Sequence, residues 1–245
     1  MTASDPDAVP VGSMRKAIAR NLMASLQQTA QVTSFFEIDA TPLLERRAAL
    51  NGSGTPVGFD AILVAAVARA LREQPLLNGC LVDDRFVPSA AVNVGVAVAL
   101  DESFGVGGGL VVPVVAGADT KSVAAIAEEL ADKVRRARER ALGPDDMAGG
   151  TFTISNLGGL PGAAYWRGAT PIISGRQSGI LAIGRIREAV VVGPEHRPGV
   201  RPVVPLSLTH DHRLIDGAAA GSFVEQLVLA LSEPELATRH GAAGP

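Results

Sequence analysis

Apolar residues recur four apart at Met14, Ile18, Leu22 and Leu26, with Arg15, Lys16 and Arg20 between them. That spacing predicts a helix with Ser13 as its cap. Residues 32–39 (VTSFFEID) partly alternate and are β-rich, so a strand is expected. Thr41 and Pro42 suit the cap and first position of a short helix ending near Asn51-Gly52. Residues 60–73 are apolar on nearly every side, which predicts a buried helix stopped by Pro75. The short apolar runs 80–82, 92–100 and 110–115 read as strands, and the glycine-rich stretch 103–109 as a flexible loop. Residues 122–142 form the clearest amphipathic helix, with RRARER as its solvated end. Four strand candidates follow at 151–155, 178–186, 188–193 and 204–210, then a last helix from Asp216 to about Leu231. Strands and helices mix without strict βαβ alternation, so the class is α/β (α+β), a sandwich with a mixed sheet.

Composition narrows the function classes. The 245 residues are 47 % hydrophobic, with 27 glycines, but only 19 % charged and 4 % aromatic. Such a chain is not disordered, and its single cysteine, Cys80, does not make a disulfide scaffold. A net charge of −3 argues against nucleic acid, and no apolar stretch is long enough for a membrane span. The first twelve residues carry two aspartates and no apolar centre, unlike a signal peptide, so a cytoplasmic protein is expected. The aliphatic surplus points to subunit interfaces. We expect a loose lead-in (1–12), one domain (13–233) and a flexible tail (234–245).

Candidate chemistry is sparse. Of four histidines, His196 and His240 sit in polar turn and tail segments and read as solvated. His210 and His212 flank Asp211 at a predicted strand end and share a face, because strand side chains alternate. Asp216 and Gly217 follow, giving His-x-x-x-Asp-Gly. His212 suits a general base whose ordinary pKa lies near working pH; Asp216 would anchor its turn and Gly217 would let the backbone bend. The competing reading is a satisfied histidine with Asp216 as a helix cap. Ser155, ending a strand before a glycine-rich turn, suits an oxyanion donor or simply a strand-closing serine. His210, His212 and a neighbouring aspartate could share a metal, but no further ligand has standard spacing, so none is expected. Neither a GxGxxG nor a P-loop pattern occurs.

Taken together, SLTHDHRLIDGAAAGSFVEQL (207–227), GGTFTISNLGG (149–159), VGSMRKAIARNLMASL (11–26), VNVGVAV (92–98), GLVVPVV (109–115) and TPIISGRQSGILAIGRI (170–186) resemble the catalytic domain of the dihydrolipoyl acyltransferases of 2-oxoacid dehydrogenase complexes. The resemblance spans about residues 9–233 and extends to chloramphenicol acetyltransferase-like enzymes. It implies a two-layer α/β sandwich, a homotrimer that can build a larger cage, and an active site in a channel between subunits. Coenzyme A would enter at one end and a lipoyl group, carried on a separate domain or protein, at the other. His212 would deprotonate the attacking thiol and Ser155 would bind the oxyanion. Asp216 would make a structural ion pair with Arg15. A 2-oxoacid decarboxylase and a lipoamide dehydrogenase would be the partners.

Three departures stand out. No lipoyl or peripheral subunit-binding segment precedes the core, the loop around 102–109 is long, and ISGRQSG replaces an Asn-Pro-Pro segment. Arg176 thus stands in place of a proline, and His210 where tyrosine is common. A relative with a different acyl acceptor, or a mainly structural oligomeric core, are the alternative readings.

Overall fold

The computed structural model describes residues 9–52, 56–101, 109–193 and 196–233. Five helices occur among them: α1 (Ser13–Gln28), α2 (Thr41–Gly52), α3 (Phe59–Glu73), α4 (Val123–Arg138) and α5 (Gly217–Ser232). The strands are β1 (Gln31–Asp39), β2 (Gly79–Val82), β3 (Arg85–Pro88), β4 (Val94–Val96), β5 (Val98–Leu100), β6 (Gly109–Val111), β7 (Val114–Val115), β8 (Phe152–Asn156), β9 (Gly179–Ile183), β10 (Arg187–Val192) and β11 (Pro198–Asp211). The main sheet runs β1-β11-β9-β8-β4-β7, with β10 paired to β11. It is mixed, since β8 is parallel to both β4 and β9 while the other pairs are antiparallel.

The apolar run of α3 behaves as its sequence predicts: ten of its residues, Ile62 and Val64 among them, are buried. α3 packs against α5 and α4. Val94, Ile154, Leu181 and Leu208 face this helical layer and close the core. Alternation sends Thr153, Ser155, Ala182, Ser207 and Thr209 to the opposite face. There the 157–178 segment folds over the sheet: Ala169 N–H donates to Ser207 Oγ (3.1 Å) and Thr153 Oγ1 to Gln177 Oε1 (2.7 Å).

Several expectations are corrected. Gly12, not Ser13, is the N-cap of α1, without a side-chain bond. Thr41 lies inside α2, and its N–H is taken by Asp39 Oδ1 at 2.7 Å. The run 92–100 splits into β4 and β5. β3 was not expected; it returns from β2 through Asp83 and Asp84, both at positive φ. α4 stops at Arg138, and Arg136 of its basic end is bound by Asp146 (2.6 Å), which holds that carboxyl at a pKa of about 2. The helix expected from the α1 spacing is present, and most of its apolar stripe is uncovered on this chain: Met14, Leu22 and Leu26 are exposed, and only Ser25 is buried, its Oγ donating to Ile173 O at 2.7 Å. Apart from Gly109, the expected loop 103–109 lies outside the described residues, as do most of the lead-in and the tail. Among the described residues no helix is long and apolar enough to cross a membrane.

Candidate active site

The end of β11 is fixed from both sides. β1 pairs along its whole length with β11, and the ladder continues one step further, His212 N–H donating to Ala30 O at 2.8 Å. Asp211, buried at 2 % exposure, is the knot. Its Oδ1 accepts from the N–H of Ala30 (3.2 Å) and of Arg213 (3.2 Å), and its Oδ2 from an Arg213 Nη2 at 2.6 Å. Burial alone would raise the Asp211 pKa, but the Arg213 guanidinium and the amide hydrogen bonds together pull it below the usual carboxylate range. Asp211's oxygens are thus committed to Arg213 and two backbone amides, which leaves them unsuited to ligate a metal.

The chain then turns in one step. Leu214 and Ile215 N–H both donate to Asp211 O at 3.0 Å, and the Ile215 side chain plugs the core at 0 % exposure. Asp216 is the N-cap of α5, its Oδ1 accepting from Ala219 N–H at 2.9 Å. The cap reading of Asp216 therefore holds, whatever further partner its second oxygen takes. Gly217 does not supply the bend. It is the first residue of α5, its φ is not positive, and a Cβ there would meet open space. Arg15 sits in the first turn of α1. His212 is exposed on this chain, and His210, on the same side of the strand, is buried with its ring 5.9 Å from that of His212.

Ser155 stands elsewhere. It lies half-buried in β8, opposite Ala182 of β9, which in turn faces Ser207 of β11. The turn after it is pinned: Leu157 N–H bonds Ile183 O (2.8 Å), Asn156 Nδ2 bonds Asp60 Oδ1 (2.7 Å), and Gly158 approaches the Gly184 carbonyl closely enough that a Cβ would sit at 3.1 Å. Two strand steps of about 4.8 Å and five residues of about 3.3 Å separate Ser155 from His212, about 19 Å in all. The two side chains also leave the sheet on opposite faces by alternation. The structure thus groups His212 with Asp216, His210, Asp211 and Arg213, and leaves Ser155 apart. Sequence reasoning missed the Asp211–Arg213 knot, although an acid and a base flanking a histidine was its available signal.

A third feature lies at the His212 end of the sheet. Asp211 N–H donates to Ser178 O (2.9 Å), and the segment just before Ser178 borders a cavity of about 270 Å³. Arg176, Gln177, Ser174 and Thr151 line it together with Cys80 and several glycines. Arg176 is exposed there.

Comparison with known proteins accounts for this arrangement. The family model for the 2-oxoacid dehydrogenases acyltransferase (catalytic domain) matches residues 3–239. The succinyltransferase component of the 2-oxoglutarate dehydrogenase complex from Bartonella vinsonii subsp. berkhoffii is 35 % identical over 93 % of this chain and 54 % of its own length. The chain thus spans about half the length of the curated relatives it matches. The dihydrolipoamide acetyltransferase of Azotobacter vinelandii superposes with a TM-score of 0.84 at 32 % identity, over 94 % of this chain and 92 % of that one. That structure was studied for the catalytic roles of a serine, a histidine and, four positions after the histidine, an asparagine. His212 and Asp216 have the same spacing, with aspartate in place of the amide. The cubic core of the pyruvate dehydrogenase multienzyme complex superposes equally well, TM-score 0.84 at 31 % identity, over 94 % and 92 % of the two chains. By match length and by fold, the chain belongs to the family of 2-oxoacid dehydrogenase acyltransferase catalytic domains.

Proposed function

We propose that this chain transfers an acyl group between coenzyme A and a dihydrolipoyl thiol, in a homotrimer whose active sites lie between neighbouring copies. The separation of about 19 Å between Ser155 and His212 carries this reading. A base and an oxyanion donor must both reach one thioester carbonyl, so the His212 of one copy works with the Ser155 of the next. The exposure of His212 on the single chain fits a group that completes its site only on assembly. Exposed apolar groups on α1 (Met23, Leu26), β1 (Phe35) and the β10–β11 ribbon (Val190, Val192, Val200) offer the faces.

In the reaction, His212 takes the proton of the attacking thiol and the thiolate adds to the thioester carbonyl. Ser155 Oγ–H donates to the resulting oxyanion. The intermediate collapses, and His212 returns the proton to the departing thiolate. No covalent enzyme intermediate and no metal are required. Asp216 holds the turn beside His212 as the cap of α5 and pairs with Arg15 through its remaining oxygen. Coenzyme A and a lipoyl group borne by a separate domain or protein enter from the two ends. The relatives are named as components of 2-oxoacid dehydrogenase complexes, which supports a 2-oxoacid decarboxylase, a lipoamide dehydrogenase and a larger cage of trimers as the proposed partners and assembly.

The test uses free dihydrolipoamide with acetyl-, succinyl- and branched-chain acyl-coenzyme A, beside sizing of the purified chain. Thiol-dependent acyl transfer from at least one donor by a trimer is expected, and its loss in His212→Ala. A well-assembled trimer inert toward every donor, or a monomer that turns over, would sink the proposal.

A further inference from the structure

One group at the end of β11 has no task in this scheme. His210 is 1 % exposed; its ring is acted on by the backbone of Leu208, but neither ring nitrogen makes a hydrogen bond of good geometry. Buried polar atoms are rarely left so, because their lost hydration is uncompensated. A phenylalanine would fill the same space without that loss. The imidazole lies two residues before His212 on the same strand face, the rings 5.9 Å apart between centroids and tilted by 35°. At that spacing the rings must approach by about half an ångström or more to share a hydrogen bond, and catalytic contacts commonly tighten only when substrate is bound.

The surroundings keep His210 uncharged. Opposite it, β1 presents Val32 and β9 presents Gly179, neither of them ionisable. The turn at Pro75–Leu77, beside Gly179, contributes the apolar Leu77. The ionisable groups that act on it are His212 and Asp211 on its own strand and Asp216 at the head of α5, and Asp211 is tied to Arg213. Burial pushes its pKa below that of an ordinary histidine, and a charge on His212 pushes it further down. A neutral imidazole keeps one nitrogen lone pair free.

We propose that His210 is a positioning residue for the acyl-transfer reaction: it accepts a hydrogen bond from the ring N–H of His212 that takes no part in proton abstraction. This rests on His212 being the base. When the thiol S–H bond breaks, the proton goes to the far nitrogen of His212, and the near N–H of the resulting imidazolium points at His210. No proton passes to His210, and the one held on His212 leaves with the departing thiolate. The buried ring thereby fixes the His212 tautomer and stabilises its charged form, as a carboxylate does beside the histidine of hydrolytic triads.

The experiment compares His210→Phe, which fills space without an acceptor, with His210→Asn, whose amide oxygen can accept. In the assembled protein, His210→Phe should lower kcat about tenfold with KM for either thiol substrate nearly unchanged. The acid limb of the kcat profile should move to lower pH, since the charged form of the base loses a hydrogen bond in the variant. His210→Asn should recover most of both effects. Nitrogen-detected NMR of the His212 ring, assigned against the other three histidines, should show the same displacement without any turnover. Wild-type kcat and an unmoved His212 titration in His210→Phe would overturn the proposal, as would His210→Asn behaving like His210→Phe. Should the phenylalanine variant not fold, the wild-type ring signals decide: His210 must titrate below an ordinary histidine, and titration at the ordinary value of about 6.5 or above refutes the proposal. Because the NMR readout needs no substrate, an inert wild-type enzyme would refute acyl transfer separately.

Discussion

A site split between copies makes a quantitative demand on mixed assemblies. Ser155→Ala and His212→Ala would each remove one half of the proposed machinery, and the two residues sit about 19 Å apart within a chain. Alone, His212→Ala should cost about 10² or more in turnover and Ser155→Ala about 10²–10³. Co-expressed in equal amounts, the two variants assemble at random. A site is intact when its histidine comes from a Ser155→Ala copy and its serine from a neighbouring His212→Ala copy. In a ring of three, that combination fills about one site in four. The co-assembled sample should therefore show about a quarter of wild-type turnover per chain, well above either parent. The measurement is initial acyl transfer on the whole co-assembled population, unselected for mixed rings, with separately purified and briefly mixed parents as the control. Activity of the co-assembled trimers no higher than that of the parents would refute a shared site.

Stability tests the scaffold around His212. Arg213→Met leaves the Asp211 carboxylate, whose side chain is 3 % exposed, without its cation; with Arg213 itself 41 % exposed and two amides remaining, the loss should be about 1–3 kcal/mol by denaturant unfolding. The folded-state pKa of Asp211 is lowered, so the pair's contribution is full above the unfolded carboxylate value of about 4 and fades as pH falls through the folded value; a gap between variant and wild type that widens toward acid would contradict this. Ile215→Ala, at a wholly buried plug, should cost about 2–5 kcal/mol in the same assay, and a smaller loss would mean that the turn does not lean on the core. Asp216→Ala should cost about 1 kcal/mol through the lost cap of α5, with activity retained in the fraction that stays folded. Gly184→Ala should destabilise more than a surface change, because its Cβ would stand 2.5 Å from Pro205 Cγ; unchanged thermal unfolding would show that the β9–β11 pair can part there.

What could be read from the residues followed the range of the interactions involved. α3 was legible because an all-round apolar helix has one destination, and the His212–Asp216 turn because its contacts span four residues. The α1 stripe predicted its helix but not its packing, because periodicity shows that a face is apolar but not which surface covers it. The surplus aliphatic residues of 60–72 and 178–183 fill this chain's own core, while the uncovered apolar groups lie on α1, on β1 and on the β10–β11 ribbon. β11 was taken for seven residues and has fourteen, because Pro198 and Pro202 look like breaks. They lie where β11 pairs with β10 but not β1, and the missing amides leave an open edge unextended. The distance between Ser155 and His212 depends on the register of β8, β9 and β11, which no local pattern encodes. Cap assignments at Ser13 and Thr41 failed by one or two positions because Gly12 and Asp39, set by the chain's approach, took those roles.

The pairing of β1 with β11 joins residues as far apart as Ala30 and Asp211, 181 positions along the chain. During synthesis β1 must therefore wait for β11, the last strand among the described residues, before it finds its partner. Loop closure over such a span is entropically slow, and the apolar α3 has no finished sheet to cover in the meantime. The bond from His212 N–H to Ala30 O extends this long-range ladder. Catalytic competence would then report completion of folding, and the nascent chain is the stage at which this protein most needs protection from aggregation.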